Sequence, residues 1–162
     1  MITLHIMLTL RPATVRDLEE LAVWEADPDT SVWLSESGRG WHERALGDPD
    51  QEVAVAEEEG RPIGFVVFAG VLSEDQIIEL RRIVVRAAQR GAGRGRALLQ
   101  AAVIRAYEQY GALPVWLDVK AGNERARALY ESEDFAVTDI VVGAVTEVDG
   151  TPADLVVMTH RP

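Results

Sequence analysis

Glycine and arginine alternate over a short stretch near the middle of the chain, in the order Arg90-Gly91-Ala92-Gly93-Arg94-Gly95-Arg96. The three glycines allow backbone N–H groups to turn toward a single point. A helical pattern follows at once, and the first turn of a helix adds unpaired N–H donors and a positive dipole end. Guanidinium groups bind phosphate oxygens through charge-assisted hydrogen bonds. The segment therefore predicts a binding loop for a phosphorylated ligand.

The charge distribution along the chain also favours an anion at this loop. The 162 residues include 16 Lys and Arg against 27 Asp and Glu, a formal net charge of −11. Between Arg81 and Arg96, however, there are six arginines and no acidic residue. The strongly negative remainder disfavours non-specific binding to nucleic acid and attracts cations. We therefore expect an anionic ligand at the arginine cluster, a cationic second ligand, and no nucleic-acid partner.

Two common phosphate-binding motifs do not fit the loop. A Walker loop requires Gly-Lys followed by Ser or Thr, and the chain contains no Gly-Lys pair. The dinucleotide fingerprint Gly-x-Gly-x-x-Gly begins correctly at Gly91 and Gly93 but has Arg96 at its last position. The first motif is therefore excluded and the second is disfavoured.

The composition limits covalent and metal chemistry. The chain has no Cys, which excludes a thiol acyl-enzyme and a disulfide framework and suits a reducing cytoplasm. His5, His42 and His160 have no metal-ligand spacing, so we predict no metal. Asp118, an acid within an apolar strand pattern, is a candidate base, although it would equally serve as the partner of an arginine. Glu79, at the start of its predicted strand, would by itself be an ordinary charged residue bonded to Arg81 or Arg82.

The hydrophobic pattern predicts one α/β domain over residues 1–162. A strand over Ile77–Val85 enters the glycine-rich loop, and a helix over Arg94–Tyr110 leaves it and ends at Gly111. The long apolar run of the strand predicts a central place in a sheet. If the side chains of this strand alternate between its two faces, one face carries Glu79, Arg81, Ile83 and Val85.

The other predicted elements complete the order β-α-β-β-β-α-β-α-β-β. Strands are predicted at Ile6–Arg11, Glu52–Ala56, Ile63–Val71, Val115–Val119, Val137–Val142 and Leu155–His160, and helices at Thr14–Glu25 and Asn123–Glu133. Trp24, Trp33 and Trp41 would pack in the core or form an aromatic wall for a ligand. The apolar start of the chain is too short to span a membrane, so we predict a cytoplasmic protein without membrane contact.

Two blocks of residues resemble a known family, the GNAT N-acetyltransferase superfamily. The first block is the strand Ile83-Val84-Val85 followed by Arg90-x-x-Gly93-x-Gly95. The second is Asn123-x-x-Ala126-x-x-Leu129-Tyr130, followed by Phe135. The resemblance implies an α/β fold of the α+β kind, with a mixed, mostly antiparallel sheet of about seven strands and about four flanking helices. It also implies that two central parallel strands splay apart and hold acetyl-CoA between them.

The resemblance further implies a role for individual residues. Backbone groups of Ile83, Val84 and Val85 would run along the pantetheine arm of acetyl-CoA and polarise its thioester carbonyl. The pyrophosphate would be held by Arg90, Gly91, Ala92, Gly93, Arg94, Gly95 and Arg96. Asn123 would contact the arm, and Tyr130 would donate a hydrogen bond to the departing thiolate. Glu79 would be the base, acting directly or through water.

Two positions depart from the family pattern, and the first is minor: Ala88 stands after the strand where many members have Pro or another residue. Asp134 stands before Phe135 where the family usually has glycine. Because glycine favours the left-handed residue that ends many helices, we expect the turn after Glu133 to differ from that of relatives.

The predicted activity is a sequential N-acetyl transfer in which a primary amine attacks acetyl-CoA directly. The amine would belong to a small molecule, an amino acid or a protein N-terminus. The alternative is a non-catalytic acyl-CoA sensor on the same fold, because a fold does not fix an activity. Relatives commonly dimerise through their last strands, and Val137–Val142 would serve that contact here.

Overall fold

The predicted element order is confirmed in a computed structural model, which describes residues 6–162 and so leaves out His5. The strands are β1 (Leu8–Pro12), β2 (Gln51–Glu58), β3 (Arg61–Ala69), β4 (Ile78–Val85), β5 (Val115–Lys120), β6 (Ala136–Thr146) and β7 (Pro152–His160). The α-helices are α1 (Leu18–Glu25), α2 (Pro28–Ser31), α3 (Arg39–Gly47), α4 (Arg94–Tyr110) and α5 (Glu124–Ser132). The short helices α2 and α3 occupy a region that had no predicted element.

All seven strands form one sheet in the order β1-β2-β3-β4-β5-β7-β6. Neighbouring strands are antiparallel except β4 and β5, which are parallel. β4 has the central place that its apolar run predicted. The mixed, mostly antiparallel sheet is the one that the family resemblance implied. None of the helices within residues 6–162 has both the length and the hydropathy needed to cross a bilayer.

The two parallel strands separate soon after they begin. β4 and β5 form only two residue pairs, the second between Glu79 and Trp116. The register of β4 against β3 then shifts by one residue between Leu80 and Arg82, which leaves Arg81 as a bulge. Beyond the bulge the strands diverge, as the resemblance implied.

The bulge makes one prediction about β4 wrong. Glu79 was expected to share a face with Arg81, Ile83 and Val85, but Ile83 and Val85 pack in the same core as Leu80. An extra residue shifts the period-two pattern of a strand, so the side chains that follow it change faces. Glu79 therefore lies on the face opposite Ile83.

Each face of the sheet is covered by its own helices. The core on one face, here called the α1/α3 face, includes Leu18, Leu21, Trp24, Ala45 and Val84. The core on the other, the α4/α5 face, includes Leu80, Leu98, Leu99, Ala102 and Leu117, with Ala126, Leu129 and Tyr130 packed against it. Val15 falls within the predicted helix Thr14–Glu25. It lies instead in a 3-10 turn before α1 and is exposed.

The turn after α5 keeps a left-handed residue without glycine. Asp134 has a φ of 69°. The Phe135 amide donates to the Tyr130 carbonyl at 3.0 Å, the hydrogen bond that closes a Schellman-type helix end. The missing glycine therefore does not remove the left-handed end of α5, because Asp tolerates the left-handed region better than most residues do.

Candidate functional site

The glycine-rich loop, residues 90–96, leaves a cluster of backbone amides free. Gly91, Ala92 and Gly93 have φ values of 88°, 53° and 80°, a left-handed run that ends where α4 begins. The amides that donate to no acceptor among residues 6–162 are those of Gly91, Ala92, Gly93, Gly95 and Arg96. Free donors at the N-terminus of a long helix form the geometry of an anion site.

The arginines of this loop are each paired with a carboxylate. The pairs and their N···O distances are Arg90–Asp27 at 3.1 Å, Arg94–Glu58 at 2.7 Å and Arg96–Glu133 at 2.5 Å. The chain order suggested an uncompensated positive cluster, but folding brings acids from distant elements to it. An anion at the loop must therefore rely on the amides or displace these carboxylates.

A cleft of about 310 Å³ opens where β4 and β5 diverge. Its walls are formed by these two strands, by α5 and by the segment after α2. The lining includes Trp33, Ile83, Asp118, Asn123 and Tyr130. The cleft therefore brings together residues from both family-like blocks and from the early part of the chain.

β4 presents an unpaired edge to this cleft. β3 pairs with Ile83, Val84 and Val85 on one side, whereas pairing with β5 has already ended at Glu79. The backbone groups of this stretch that point toward β5 therefore have no strand partner. A ligand that contains amide groups could add along this edge as an extra strand would.

Asn123 and Tyr130 belong to α5. Asn123 Oδ1 accepts a hydrogen bond from the Ala126 amide at 3.3 Å, so Asn123 is the N-cap of α5. Tyr130 packs against Phe135, with ring centroids 6.0 Å apart. Burial raises the pKa of Tyr130 to about 12, and its hydroxyl has no hydrogen-bond partner in the described part of the chain. This hydroxyl is therefore a protonated and unused donor.

The two candidate bases have different surroundings. Arg81 Nε donates to Glu79 Oε1 at 2.8 Å, and Glu79 does not belong to the cleft lining. Asp118 does line the cleft, and it forms no hydrogen bond or ion pair with the other described residues. Burial raises the pKa of both carboxyls, and the Arg81 guanidinium opposes this rise.

A buried charge cluster that the sequence did not indicate holds Arg82 on the α1/α3 face. Glu25 and His42 are fully buried, and Glu25 Oε1 lies 2.5 Å from His42 Nε2. Arg82 NH1 donates to the other oxygen of Glu25 at 2.6 Å, and its Cζ lies 3.8 Å from the centroid of Trp41. Arg82 NH2 donates to the Glu36 carbonyl at 2.6 Å.

Lys120, the only lysine of the chain, is the second cation that sequence reasoning missed. It is buried at the end of β5, and its Nζ donates to the Glu147 carboxylate and the Val32 carbonyl, each at 3.1 Å. The bond to Val32 holds the segment that carries Trp33 beside the cleft. The only feature of the sequence that pointed to Lys120 was that it is a single lysine in an arginine-rich chain.

The early tryptophans divide between the two predicted environments. Trp24 is buried in the core of the α1/α3 face, and Trp41 packs at the edge of that core. Trp33 is 39% exposed and lines the cleft.

The histidines have structural contacts. His160 Nδ1 lies 2.6 Å from the Tyr107 hydroxyl, and His42 belongs to the buried cluster. Among residues 6–162, no three potential ligands lie together in a way that could hold a metal ion.

A splayed parallel pair in a mostly antiparallel sheet, with free amides at the start of the following helix, defines an acetyltransferase-type fold. The chain matches the model of the acetyltransferase (GNAT) family over residues 18–135, which is more than half of its length. It therefore belongs to this family.

Solved structures share the fold along nearly the whole chain. A candidate phosphinothricin N-acetyltransferase is 26% identical, with a TM-score of 0.78 over 96% of this chain and 98% of that one. The spermidine N-acetyltransferase of Vibrio cholerae, solved with CoA and spermine, is 20% identical, with a TM-score of 0.84 over 95% of each chain. The ribosomal-protein-S18-alanine N-acetyltransferase of Escherichia coli is 23% identical, with a TM-score of 0.77 over 96% of this chain and 94% of that one.

Curated relatives match a shorter stretch. Uncharacterised N-acetyltransferases of Mycobacterium bovis and Mycobacterium tuberculosis are 29% identical over 92 residues. The match covers 57% of this chain and 57% of each relative, so it spans little more than half of their length.

Proposed function

We propose that this chain transfers the acetyl group of acetyl-CoA directly to a primary amine. One observation supports this above all others: the free amides of the glycine-rich loop lead along the unpaired edge of β4 into the cleft that holds the Tyr130 hydroxyl. These three features correspond in order to the diphosphate, the amide-containing arm and the thioester of acetyl-CoA.

The groups proposed to hold acetyl-CoA come from backbone and side chains. The diphosphate is assigned to the loop made of Arg90, Gly91, Ala92, Gly93, Arg94, Gly95 and Arg96. The arm is assigned to the backbone of Ile83, Val84 and Val85 and to the side-chain amide nitrogen of Asn123, which the helix cap does not use. Acetyl-CoA supplies an activated acyl group, and the residues of the chain position the amine and its proton.

The amine must lose a proton before it can attack. With a pKa of about 10.4, deprotonation at pH 7 costs about 4.6 kcal/mol. Glu79 lies on the α1/α3 face but outside the cleft lining, so we propose that it accepts this proton through water. The missing cysteine excludes a route through an acylated thiol, and we propose that the amine attacks the thioester directly.

Tyr130 is proposed to stabilise the departing sulfur. The pKa of Tyr130 is about 12, and a thiol has a pKa of about 8.5, so full proton transfer to the thiolate would cost roughly 5 kcal/mol. A hydrogen bond from the hydroxyl to the sulfur avoids this cost.

The acceptor is proposed only as a primary amine. Similar structures are named for spermidine and for the alanine of a ribosomal protein, which supports an amine on either a small molecule or a protein. The alternative of a non-catalytic sensor has no separate observation in its favour.

Two further predictions concern the surroundings of the protein. β6 lies at the sheet edge, and its Ile140, Val141 and Val142 are 55%, 43% and 80% exposed. A second copy of the chain would cover these side chains in a homodimer through the last strands. The cytoplasmic location stays a prediction from composition.

Calorimetry with acetyl-CoA and a thiol-release assay test the proposal together. We expect saturable binding of acetyl-CoA and release of one CoA thiol for each amine acetylated. The trial acceptors are spermidine, phosphinothricin and a peptide with an N-terminal alanine, here called the alanine-terminated peptide. Absence of binding at millimolar acetyl-CoA would reject the proposal. Binding without thiol release from any of the three mixtures would favour the sensor.

A further inference from the structure

The cations that line the cleft are each neutralised by their own acid. The pairs are Arg81 with Glu79 at 2.8 Å, Arg82 with Glu25 at 2.6 Å and Lys120 with Glu147 at 3.1 Å. Two of these cations also donate to backbone carbonyls, which fixes their position. They therefore contribute little net charge to a ligand in the cleft.

Asp118 is the one acidic residue of the cleft lining among the described residues, and it has no partner. Its neighbours along β5, Leu117 and Val119, point into the core of the α4/α5 face. Alternation therefore directs Asp118 to the α1/α3 face, together with Lys120. Because the three lining cations are neutralised by their ion pairs, the one unpaired charge on this face of the cleft is the carboxylate of Asp118.

The cleft thus offers a cation one uncompensated carboxylate at its wall. Asp118 lies on β5, across the divergence from the bulge of β4 and on the same face as Glu79. Glu79 is engaged by the Arg81 guanidinium and stands outside the lining, so it is not free to pair with a ligand. Trp33 lines the same cleft, and its ring face attracts cations.

We propose that Asp118 pairs with the ammonium group of the acceptor and takes its proton as the amine attacks. This assignment rests on the proposed acetyl transfer and deepens it, because it names the residue that selects a cationic acceptor. Glu79 then acts one step later, when the proton leaves Asp118 through water.

The step balances in atoms and charge. The ammonium gives one proton to the Asp118 carboxylate, and the nitrogen lone pair forms a bond to the carbonyl carbon of the acetyl group. The carbon–sulfur bond breaks, and its electron pair stays on sulfur. The second proton of the nitrogen reaches the sulfur, whose charge the Tyr130 hydroxyl has stabilised, so the products are an N-acetyl amine and a thiol. Asp118 then passes its proton through water to Glu79, which releases it to solvent.

The electrostatics of the cleft agree with this assignment. Partial burial raises the pKa of Asp118, although the nearby Arg81 guanidinium opposes this rise, and the carboxyl is thereby brought closer to the pKa of the amine than a solvated carboxyl would be. The charge of Asp118 also raises the pKa of Tyr130 and of Glu79, so the field of this carboxylate reaches both other groups assigned to the reaction.

Substitution Asp118→Asn keeps the shape and removes the charge. We expect kcat/KM for the best acceptor of the panel, spermidine, phosphinothricin or the alanine-terminated peptide, to fall by about 100-fold or more. The acidic limb of its pH profile should disappear, because that limb reports ionisation of the carboxyl. Acetyl-CoA binding by calorimetry and the melting temperature should not change, since Asp118 has no partner in the fold.

Three comparison variants complete the experiment. Asp118→Glu keeps the charge and should recover most of the lost activity. Glu79→Gln should cost less than Asp118→Asn, at about 10-fold. Glu108→Gln, which removes an exposed carboxylate of α4, should leave activity unchanged. Unchanged kcat/KM and pH profile in Asp118→Asn would overturn this inference alone. A wild-type protein that acetylates none of the three acceptors would overturn the proposed function and this inference with it.

Discussion

The glycine-rich loop and the α1/α3 face are built from different kinds of contact. The glycine-rich loop is one continuous segment, and its free groups are backbone amides at the start of α4. The α1/α3 face depends on side chains from distant parts of the chain. Arg82, for example, lies 57 residues from Glu25 and 46 from Glu36, and it donates hydrogen bonds to both. The first kind of site follows from local sequence, whereas the second exists only once the chain has folded.

The loop and the α1/α3 face also differ in which groups remain unpaired. At the loop, the guanidinium groups are already paired, and the free groups are neutral amides. On the α1/α3 face, the cations are paired and Asp118 is not. A cluster of like charges in the sequence therefore does not locate the free charge of the folded protein. Variants that disturb the glycine-rich loop should therefore leave the α1/α3 face intact, and variants of that face should leave the loop intact.

The largest expected effect is on the α1/α3 face. Glu25→Gln removes the carboxylate that pairs with Arg82, whose side chain is only 9% exposed. Because the guanidinium would stay buried without its counter-charge, we expect the free energy of unfolding to fall by about 3–5 kcal/mol in urea denaturation. Glu58→Gln, which releases the half-exposed Arg94, should cost about 1 kcal/mol or less. Equal losses of unfolding free energy in Glu25→Gln and Glu58→Gln would contradict this difference between the α1/α3 face and the loop.

The next effect is on the loop. Gly93 caps α4 with a φ of 80°, where a β-branched residue is strained. Gly93→Val should misdirect the amides of the turn and weaken acetyl-CoA binding by about 100-fold, the equivalent of two charge-assisted hydrogen bonds. Gly150→Val imposes similar strain at a φ of 85° in the turn between β6 and β7, where no atom of residues 6–162 lies within 4 Å of an added Cβ. We expect a similar loss of melting temperature there and unchanged binding in calorimetry.

The fold could be predicted from the sequence where local patterns decide it. The helix Arg94–Tyr110 was predicted to the residue, because Gly111 ends it in a left-handed conformation. The bulge at Arg81 could not be predicted, since a single unpaired residue leaves no mark on composition or hydropathy. That residue alone moves Ile83 and Val85 to the face opposite the expected one.

The candidate site divides in the same way. The loop, Asn123 and Tyr130 were found from motifs, because each acts through the backbone or through its place on a helix. The role of Arg82 could not be predicted, because its partners are far away in sequence. Asp118 was visible as an acid in an apolar strand, but only the structure shows that its neighbours are paired and that it is not.

A smaller effect should come from the ion pair between Arg94 and Glu58. An anion at the loop competes with Glu58 for the guanidinium, whose Nε lies 2.7 Å from the carboxylate. Glu58→Gln should therefore raise the affinity for acetyl-CoA by about 2–5-fold, the value of a half-exposed pair. Arg94→Gln should lower it by about 10-fold, since a charge-assisted bond to phosphate is lost. Calorimetry at two salt concentrations would show both effects shrinking at higher salt. A loss of affinity in Glu58→Gln would mean that Arg94 holds the fold rather than the ligand.

The smallest expected effect concerns the helix end that departs from the family pattern. Asp134 has a φ of 69° in a turn that glycine would adopt without strain. Asp134→Gly removes this strain but increases the conformational entropy of the unfolded chain, so we expect a net gain of about 0.5–1 kcal/mol in the free energy of unfolding. Glu131→Gly, at an ordinary helical position of α5, introduces the same entropy without strain to relieve, and it should lose about 1 kcal/mol. If the changes in unfolding free energy have opposite signs in the two variants, the backbone conformation at Asp134 determines the stability of this turn. Side-chain contacts of Asp134 would then contribute little. The same sign for both would show that other contacts hold this turn.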